Sequence, residues 1–312
     1  MERRTENKIV LIVRHTRLDD LVARFNTEDQ ARFYVEHLGA DFSDYQAEDR
    51  TYRSAVREAE NILSRHGRVQ VVDRAFAPNF VFGPKDTVVA LGQDGLVANV
   101  LKYLDGQLLI GVNPDPGRWE GVLLPFSVSD LDLVMPEVFA EKRPVRDVTM
   151  AQAKLNTGEA LCGVNDLFIG PRSHTSARYT IRVGDQAEVH SSSGIIVSTG
   201  LGSTGWFRSI VAGATGIASA LAGRSLAISE KKTFAWDADY LYFSVREPWP
   251  SKTSAAEITF GKVTASQPLI LVSQMSEDGV IFSDGIESDF LRFNSGAEAT
   301  IGVAGRKERL VT

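Results

Sequence analysis

One stretch constrains this chain more than any other. Val88-Val89-Ala90-Leu91 reads as a buried strand, it runs into Gly92-Gln93-Asp94-Gly95, and a helix-like segment, Leu96 to Leu104, follows at once. A strand, a glycine turn and a helix start belong to an α/β fold and leave backbone N–H groups facing a common point where a phosphate can sit. The glycines permit close backbone approach. A carboxylate repels phosphate, so Asp94 points either to a base acting on a hydroxyl nucleophile or to a metal ligand. An ordinary Asp-Gly turn with Asp94 as helix cap accounts for the same residues.

The flanking segments specify the kind of α/β fold. Lys8 to Arg14, Val69 to Asp73, Thr87 to Leu91 and Leu108 to Val112 read as strands. Thr27-Glu28-Asp29-Gln30 has capping-box spacing and opens a helix to about Leu38, and Tyr52 to His66 is a second helix closed by Gly67. Strands alternating with helices predict a parallel, helix-covered sheet, which binds ligands at the carboxyl ends of its strands. Gly92 to Gly95 and Asn113 lie at such ends. From about Arg146 the texture turns β-rich, with strands at Ala160–Ile169, Ala177–Val183, Gly194–Thr199, Asp239–Val245 and Pro268–Gln274. Glu277 to Phe282 reads as a hairpin around Asp278-Gly279, and only Thr204 to Leu221 reads as a helix there. Asp115-Pro116-Gly117 and Pro248-Trp249-Pro250 are loops. The expected organisation is an α/β domain over 1–125 with a Rossmann-like parallel sheet and a β-rich domain over 126–290. A C-terminal segment over 291–312 packs back on the first domain. The join falls between about Pro125 and Pro144.

Composition narrows the function classes. Forty acidic against 34 basic residues give a net charge of −6, which argues against a nucleic-acid surface. The single cysteine, Cys162, excludes an internal disulfide, fits a reducing compartment, and sits in an apolar run as a buried, inert thiol. The apolar run Ile9 to Val13 is too short to span a membrane and lacks signal-peptide flanks, so the expected location is the cytoplasm. The five histidines show no metal-ligand spacing. Trp119, Trp236 and Trp249 read as loop or core packing, and Lys231-Lys232 as a solvated charge pair. Arg14-His15-Thr16-Arg17 follows a strand. It reads as a solvated loop, or as one that reaches a phosphate.

The β-rich half holds a second turn of chemical type. Ile195 to Thr199 is a strand, Gly200-Leu201-Gly202-Ser203-Thr204-Gly205 is a glycine- and hydroxyl-rich turn, and a helix starts near Trp206. Such a turn suits a phosphate or a ribose, and a helix capped by Ser203 or Thr204 explains it equally. Asn165-Asp166 is a polar pair inside the apolar run Leu161 to Ile169. Buried polar groups must be hydrogen-bonded or they cost roughly 1–3 kcal/mol each. The pair either satisfies a neighbouring loop or faces a ligand, and amide plus carboxylate suits a ribose diol.

In order and spacing these elements resemble the NAD kinase family, which carries a Gly-Gly-Asp-Gly-Thr turn, an Asn-Glu pair and a Thr-Gly-Ser-Thr-Ala-Tyr turn. Gly92-Gln93-Asp94-Gly95-Leu96 matches the first, Asn165-Asp166 the second, and Leu201-Gly202-Ser203-Thr204-Gly205-Trp206 the third. Gly111-Val112-Asn113 resembles the family's strand end before its glycine-rich stretch. Phe282-Ser283-Asp284-Gly285 resembles its late Asp-Gly turn. The resemblance spans roughly residues 85 to 305 and implies the NAD kinase two-domain architecture, with the β-rich domain binding nucleotide. Asp94 would be the base that activates the adenosine-ribose 2′-hydroxyl of NAD. Gly92 and Gly95 would lie against phosphates, Asn165 and Asp166 would hold ribose hydroxyls or the adenine side, and Ser203 and Thr204 would shape the nucleotide pocket near Thr199. ATP or polyphosphate would donate the phosphoryl group, with Mg²⁺ neutralising its charge, and no metal ligand is assigned. A homodimer or homotetramer is expected. Phosphofructokinases carry a similar acidic turn, but the β-rich half fits them poorly.

The departures fall in or near the pocket. Gln93 replaces a glycine, Leu96 a threonine, Gly205-Trp206 an Ala-Tyr pair, and Ser193 stands where the family has an acidic residue. Three readings follow: a divergent NAD kinase, a kinase of another hydroxyl such as a sugar or lipid, and a non-catalytic nucleotide-binding protein. Retention of Asp94 favours the first two. Gln93, Leu96 and Trp206 favour the last two.

Overall fold

The computed structural model describes residues 8–225 and 233–312, so Lys231-Lys232 lies outside the described residues. The chain forms two compact units, Met1–Arg146 with Arg309–Thr312, and Asp147–Glu308.

The first unit starts with β1 (Lys8–Val13), α1 (Arg17–Phe25), α2 (Glu28–His37), α3 (Ser43–Leu63) and β2 (Arg68–Asp73). It continues with β3 (Thr87–Leu91), α4 (Asp94–Leu101), β4 (Leu108–Asn113), the short β5 (Phe126–Ser127) and α5 (Leu131–Phe139). Its sheet runs in the order β2-β1-β3-β4, all parallel. β3 is buried along its whole length, as a strand covered on both faces should be. The core gathers Ile9, Leu11, Val89, Leu91, Ile110 and Val112 from the sheet with Tyr52, Ala59 and Leu63 of α3 and Leu131 and Met135 of α5.

Local sequence explains the helix starts. Thr27 accepts from the Gln30 N–H at 3.2 Å, as its spacing predicts. A full capping box forms one helix earlier, where Thr16 Oγ1 accepts from the Asp19 N–H and Asp19 accepts from the Thr16 N–H. The segment 14–17 is the loop from β1 into α1, exposed at His15 and Arg17 and anchored by the buried cap Thr16. Helix α3 starts nine residues before the predicted Tyr52 because its first turns are held by charge. Glu48 pairs with Arg14 and Arg17, and Asp44 pairs with Arg17 and Arg118.

The second unit is built of β6 (Val145–Leu155), β7 (Ala160–Gly163), β8 (Asp166–Pro171), β9 (Ala177–Val183), β10 (Gln186–Ser192) and β11 (Ile195–Ser198). Helix α6 (Trp206–Ala222) follows, and then β12 (Tyr240–Val245), β13 (Phe260–Thr264), β14 (Leu269–Ser273), β15 (Gly279–Ser283), β16 (Ile286–Arg292) and β17 (Glu298–Val311). One antiparallel sheet has the order β13-β12-β11-β8-β15-β16, and a second contains β10-β9-β14-β17. Their facing residues, among them Ile169, Val197, Phe243 and Ile281 on one side and Tyr179, Ile181, Leu269 and Leu271 on the other, form one core. The end of β17 leaves this unit, and Arg309 and Leu310 pair in parallel with Leu108 and Leu109 of β4.

Two sequence expectations are corrected here. Ala160 to Ile169 is two strands, not one, broken at Val164-Asn165. The N–H groups of both residues leave the ladder and donate to Asp284. The hairpin is not at Asp278-Gly279. It closes at Asp284-Gly285, both at positive φ of 55° and 71°, while Gly279 starts β15. A Cβ on Gly279 would lie 2.1 Å from the Phe293 carbonyl oxygen, so this glycine serves close strand approach.

Tyr52 ties the first unit's strand ends together. Its hydroxyl accepts from the Arg14 N–H at 2.8 Å and donates to the Leu91 carbonyl at 2.9 Å, and burial pushes the phenol up to about 12 so that it stays protonated. Tyr52→Phe keeps the ring and removes both bonds. It should lower unfolding free energy by about 1–3 kcal/mol in urea titration. A variant as stable as the native protein would show that the hydroxyl contributes nothing.

Candidate functional site

The acidic glycine turn stands where the sequence places it, at the carboxyl end of β3. Gln93, not Asp94, is the N-cap of α4, and it makes no side-chain cap bond. Its φ of −112° and ψ of 165° are ordinary extended values, so a side chain at this position strains nothing. A Cβ on Gly92 would lie 2.7 Å from Leu96 Cδ2, the far end of a side chain that would have to shift. Leu96 is buried and packs inward, while Gly95 is exposed with open space around it.

Asp94 is engaged. Its Oδ1 accepts from the Leu123 N–H at 2.8 Å and its Oδ2 from the Val122 N–H at 3.2 Å. The segment after β4 is thus fastened over the turn. Asn113 shapes that segment from within, since its amide donates to the Trp119 carbonyl at 2.8 Å and its Oδ1 accepts from the Asp115 N–H at 3.0 Å. This buried asparagine has a structural job. A carboxylate offers about four lone-pair sites, so two remain on Asp94 for a proton or a cation.

The second unit joins three motifs that are far apart in sequence. Asp284 Oδ2 accepts from the Val164 N–H at 3.0 Å, and Oδ1 from the Asn165 N–H at 2.6 Å and the Asp166 N–H at 3.3 Å. Thr199 is fully buried, and its hydroxyl donates to the Val164 and Asn165 carbonyls and accepts from the Gly202 N–H at 3.1 Å. A Cβ on Gly202 would lie 1.9 Å from the Asn165 carbonyl oxygen, so only glycine lets this turn pack against the pair. Ser203 is buried and donates to the Gly200 carbonyl at 2.6 Å, and Thr204 donates to the Leu201 carbonyl at 3.2 Å. These hydroxyls therefore hold the turn. Gly205 is exposed and precedes α6.

Trp206 is occupied by its own unit. Its ring stacks on Phe168 at 6.0 Å with planes 7° apart, and the Arg246 guanidinium lies 5.5 Å from it. Ser193 is exposed in the turn after β10, with its N–H on the Arg246 carbonyl. Beside Trp206 lies an apolar groove of about 730 Å³, lined by Ile210, Ile217, Pro248 and Phe260. Helix α6 carries no acidic residue, buries only Phe207, and leaves Ile217 66% and Leu221 86% exposed.

Trp119, Trp236 and Trp249 lie in loops, as expected. Cys162 is half-buried, and burial pushes its thiol up, away from a nucleophile's range. Among the described residues no group of three or more His, Cys, Asp or Glu side chains could hold a metal, and no helix is long and apolar enough to cross a membrane. The sequence marks Asp284 by its Asp-Gly turn, but its partners 164–166 appear only when β15 and β16 fold it against them. Arg14 stands against Gly92, and its only sequence signal is its place after a strand.

No protein-family model and no curated protein matches the sequence. Solved structures do share its fold. An NAD kinase from Archaeoglobus fulgidus, in complex with ATP, is 14% identical with a TM-score of 0.57, over 98% of this chain and 93% of that one. Yeast NADH kinase complexed with NADH is 15% identical with a TM-score of 0.58, over 98% and 83%. The chain therefore has the NAD kinase fold, a parallel α/β unit and an antiparallel β-rich unit.

Asp166 generates a pH prediction. Burial, reinforced by the neighbouring Asp284 charge, pushes its carboxyl up to about 7. An acid raised on folding binds its proton more tightly in the native state. Stability then falls as pH rises from about 4 to about 7 and levels off above that. Asp166→Asn removes this loss and should be more stable than the native protein at pH 8 by about 2–4 kcal/mol, but not at pH 4. Thermal melts of both proteins across pH 4–8 read this directly. Parallel stability curves would overturn it.

Proposed function

We propose that this protein is a phosphotransferase of the NAD kinase type, which moves a phosphoryl group from ATP or polyphosphate to the adenosine-ribose 2′-hydroxyl of NAD, giving NADP. The observation that carries this reading is Asp94 at the carboxyl end of β3, on a fold shared with NAD and NADH kinases. Asp94 takes the hydroxyl proton through a lone pair that the Val122 and Leu123 N–H groups leave open. The new O–P bond forms as the bond from the transferred phosphorus to the donor's bridging oxygen breaks. Gly92 and Gly95 let phosphates approach the backbone. Asn165, with a half-exposed side chain, and Asp166, which reaches neutral pH as an acid, hold ribose hydroxyls. Thr199, Ser203 and Thr204 build the nucleotide turn from within. Among the described residues no cluster of ligands could hold a metal by itself, so Mg²⁺ would enter on the donor's phosphates and would neutralise their charge. The single cysteine fits a cytoplasmic home.

The exposed apolar face of α6 and the groove beside Trp206 favour a second reading, an amphiphilic hydroxyl acceptor on the same fold. The same face suits a homodimer or homotetramer, which light scattering on the native protein decides. The two acceptors separate in a thermal-shift panel, because a true ligand at 100 times its dissociation constant stabilises by about 2.7 kcal/mol.

The direct test is NADP formation from NAD with ATP or polyphosphate and Mg²⁺. Asp94→Asn should cut kcat by about 10²-fold or more while NAD still stabilises the protein. Equal turnover in both proteins, or none in the native one, sinks the reading.

A further inference from the structure

The sheet order β2-β1-β3-β4 sends the chain to one side after β1 and to the other after β3. Open parallel sheets bind ligands in the crevice at such a switch point, outside the carboxyl ends of the strands. One wall of this crevice is the Gly92–Gly95 turn. The other is Arg14, one residue past β1. The β1–β3 register pairs Ile12 with Ala90, and its continuation sets Arg14 opposite Gly92. Arg14 Cδ lies 3.7 Å from the point where a Cβ on Gly92 would sit.

The Arg14 side chain is held in place before any ligand arrives. One terminal nitrogen donates to the His15 carbonyl at 2.7 Å, the other pairs with Glu48 Oε1 at 2.9 Å, and the guanidinium lies 4.8 Å from the centre of the Tyr52 ring. Glu48 also pairs with Arg17, so two guanidinium groups share one buried carboxylate. Arg14 Nε is buried without an acceptor among the described residues, an uncompensated donor that calls for an explanation. The side chain is still 12% exposed, and it borders a cavity of about 490 Å³ that Thr16, Tyr52, Arg53 and Asp73 also line and the 92–96 turn does not. The turn itself supplies little for phosphate: Leu96 is buried and has no hydroxyl.

We propose that Arg14 is the phosphate-binding cation of this turn, contacting the terminal phosphates of a nucleoside triphosphate or polyphosphate donor. Its planar fork suits a phosphoryl group, and its fixed orientation lowers the ordering cost of binding. The inference rests on the phosphotransferase reading of Asp94, and it is independent of which hydroxyl accepts.

The test titrates inorganic tripolyphosphate and Mg–ATP into the native protein, Arg14→Gln, Arg14→Met and the control Arg53→Met by calorimetry. Arg53 borders the same cavity and is paired with Asp19 and Asp49. Both Arg14 variants should bind tripolyphosphate at least 10-fold more weakly, with a shallower salt dependence, while the control stays within about twofold. Hydrogen exchange on the native protein needs no variant: tripolyphosphate should protect residues 14–17 together with 92–96. Unchanged affinity in the Arg14 variants, protection at 92–96 alone, or no tripolyphosphate binding by the native protein each overturns the proposal. Arg14-dependent binding without NADP formation would remove the NAD reading and leave Arg14 standing. NADP formation with an unchanged KM for ATP in the Arg14 variants would do the reverse.

Discussion

In each unit a single carboxylate gathers backbone N–H groups that the secondary structure leaves unpaired. Asp94 takes those of Val122 and Leu123, and Asp284 takes those of Val164, Asn165 and Asp166. Buried N–H groups must find acceptors. An ionised acceptor forms bonds roughly twice as strong as a neutral one, so each carboxylate fixes an otherwise irregular segment. The rest of the candidate machinery hangs from these two clamps. The segment after β4 lies over the glycine turn because Asp94 holds it. The strand breaks at Val164-Asn165, just before Asp166 opens β8, because Asp284 draws that backbone aside.

The second clamp sets the chemistry of its neighbour. Asp284 is satisfied by amides, whereas among the described residues the Asp166 side chain has no hydrogen-bond donor and is buried beside a like charge. Burial and charge act in the same direction, which makes Asp166 a proton-bearing group near neutral pH. Its ionisation therefore costs stability above pH 7.

The departures from the NAD kinase pattern divide by physical effect. Gln93 costs nothing in backbone strain because its φ is negative, so its effect is confined to the space its side chain fills. Leu96 is committed to core packing. Trp206 is stacked on Phe168 and flanked by Arg246, so its larger ring is stabilised inside its own unit. The apolar, acid-free α6 that follows is an exposed face of the kind that monomers seldom carry without use.

Pattern alone determined much of this protein. The strands β1 to β4, the cap at Thr27, the parallel-then-antiparallel layout and the acidic turn at Asp94 all follow from short-range periodicity and turn chemistry. They are legible because side-chain spacing encodes local geometry directly. Other features hide their signal. β17 contains Gly302 and Gly305 and ends in the charged run Arg306 to Arg309, so its alternation does not read as a strand. The break at Val164-Asn165 has no local cause, since the group that pulls it out of the ladder lies about 120 residues away. The roles of Asp94 as a backbone clamp, of Asn113 as a loop former and of Arg14 as a neighbour of Gly92 were decided by tertiary structure. Each depends on which unpaired donors and acceptors are brought within 3 Å or so of one another. That is a property of the closed fold and not of any window of sequence.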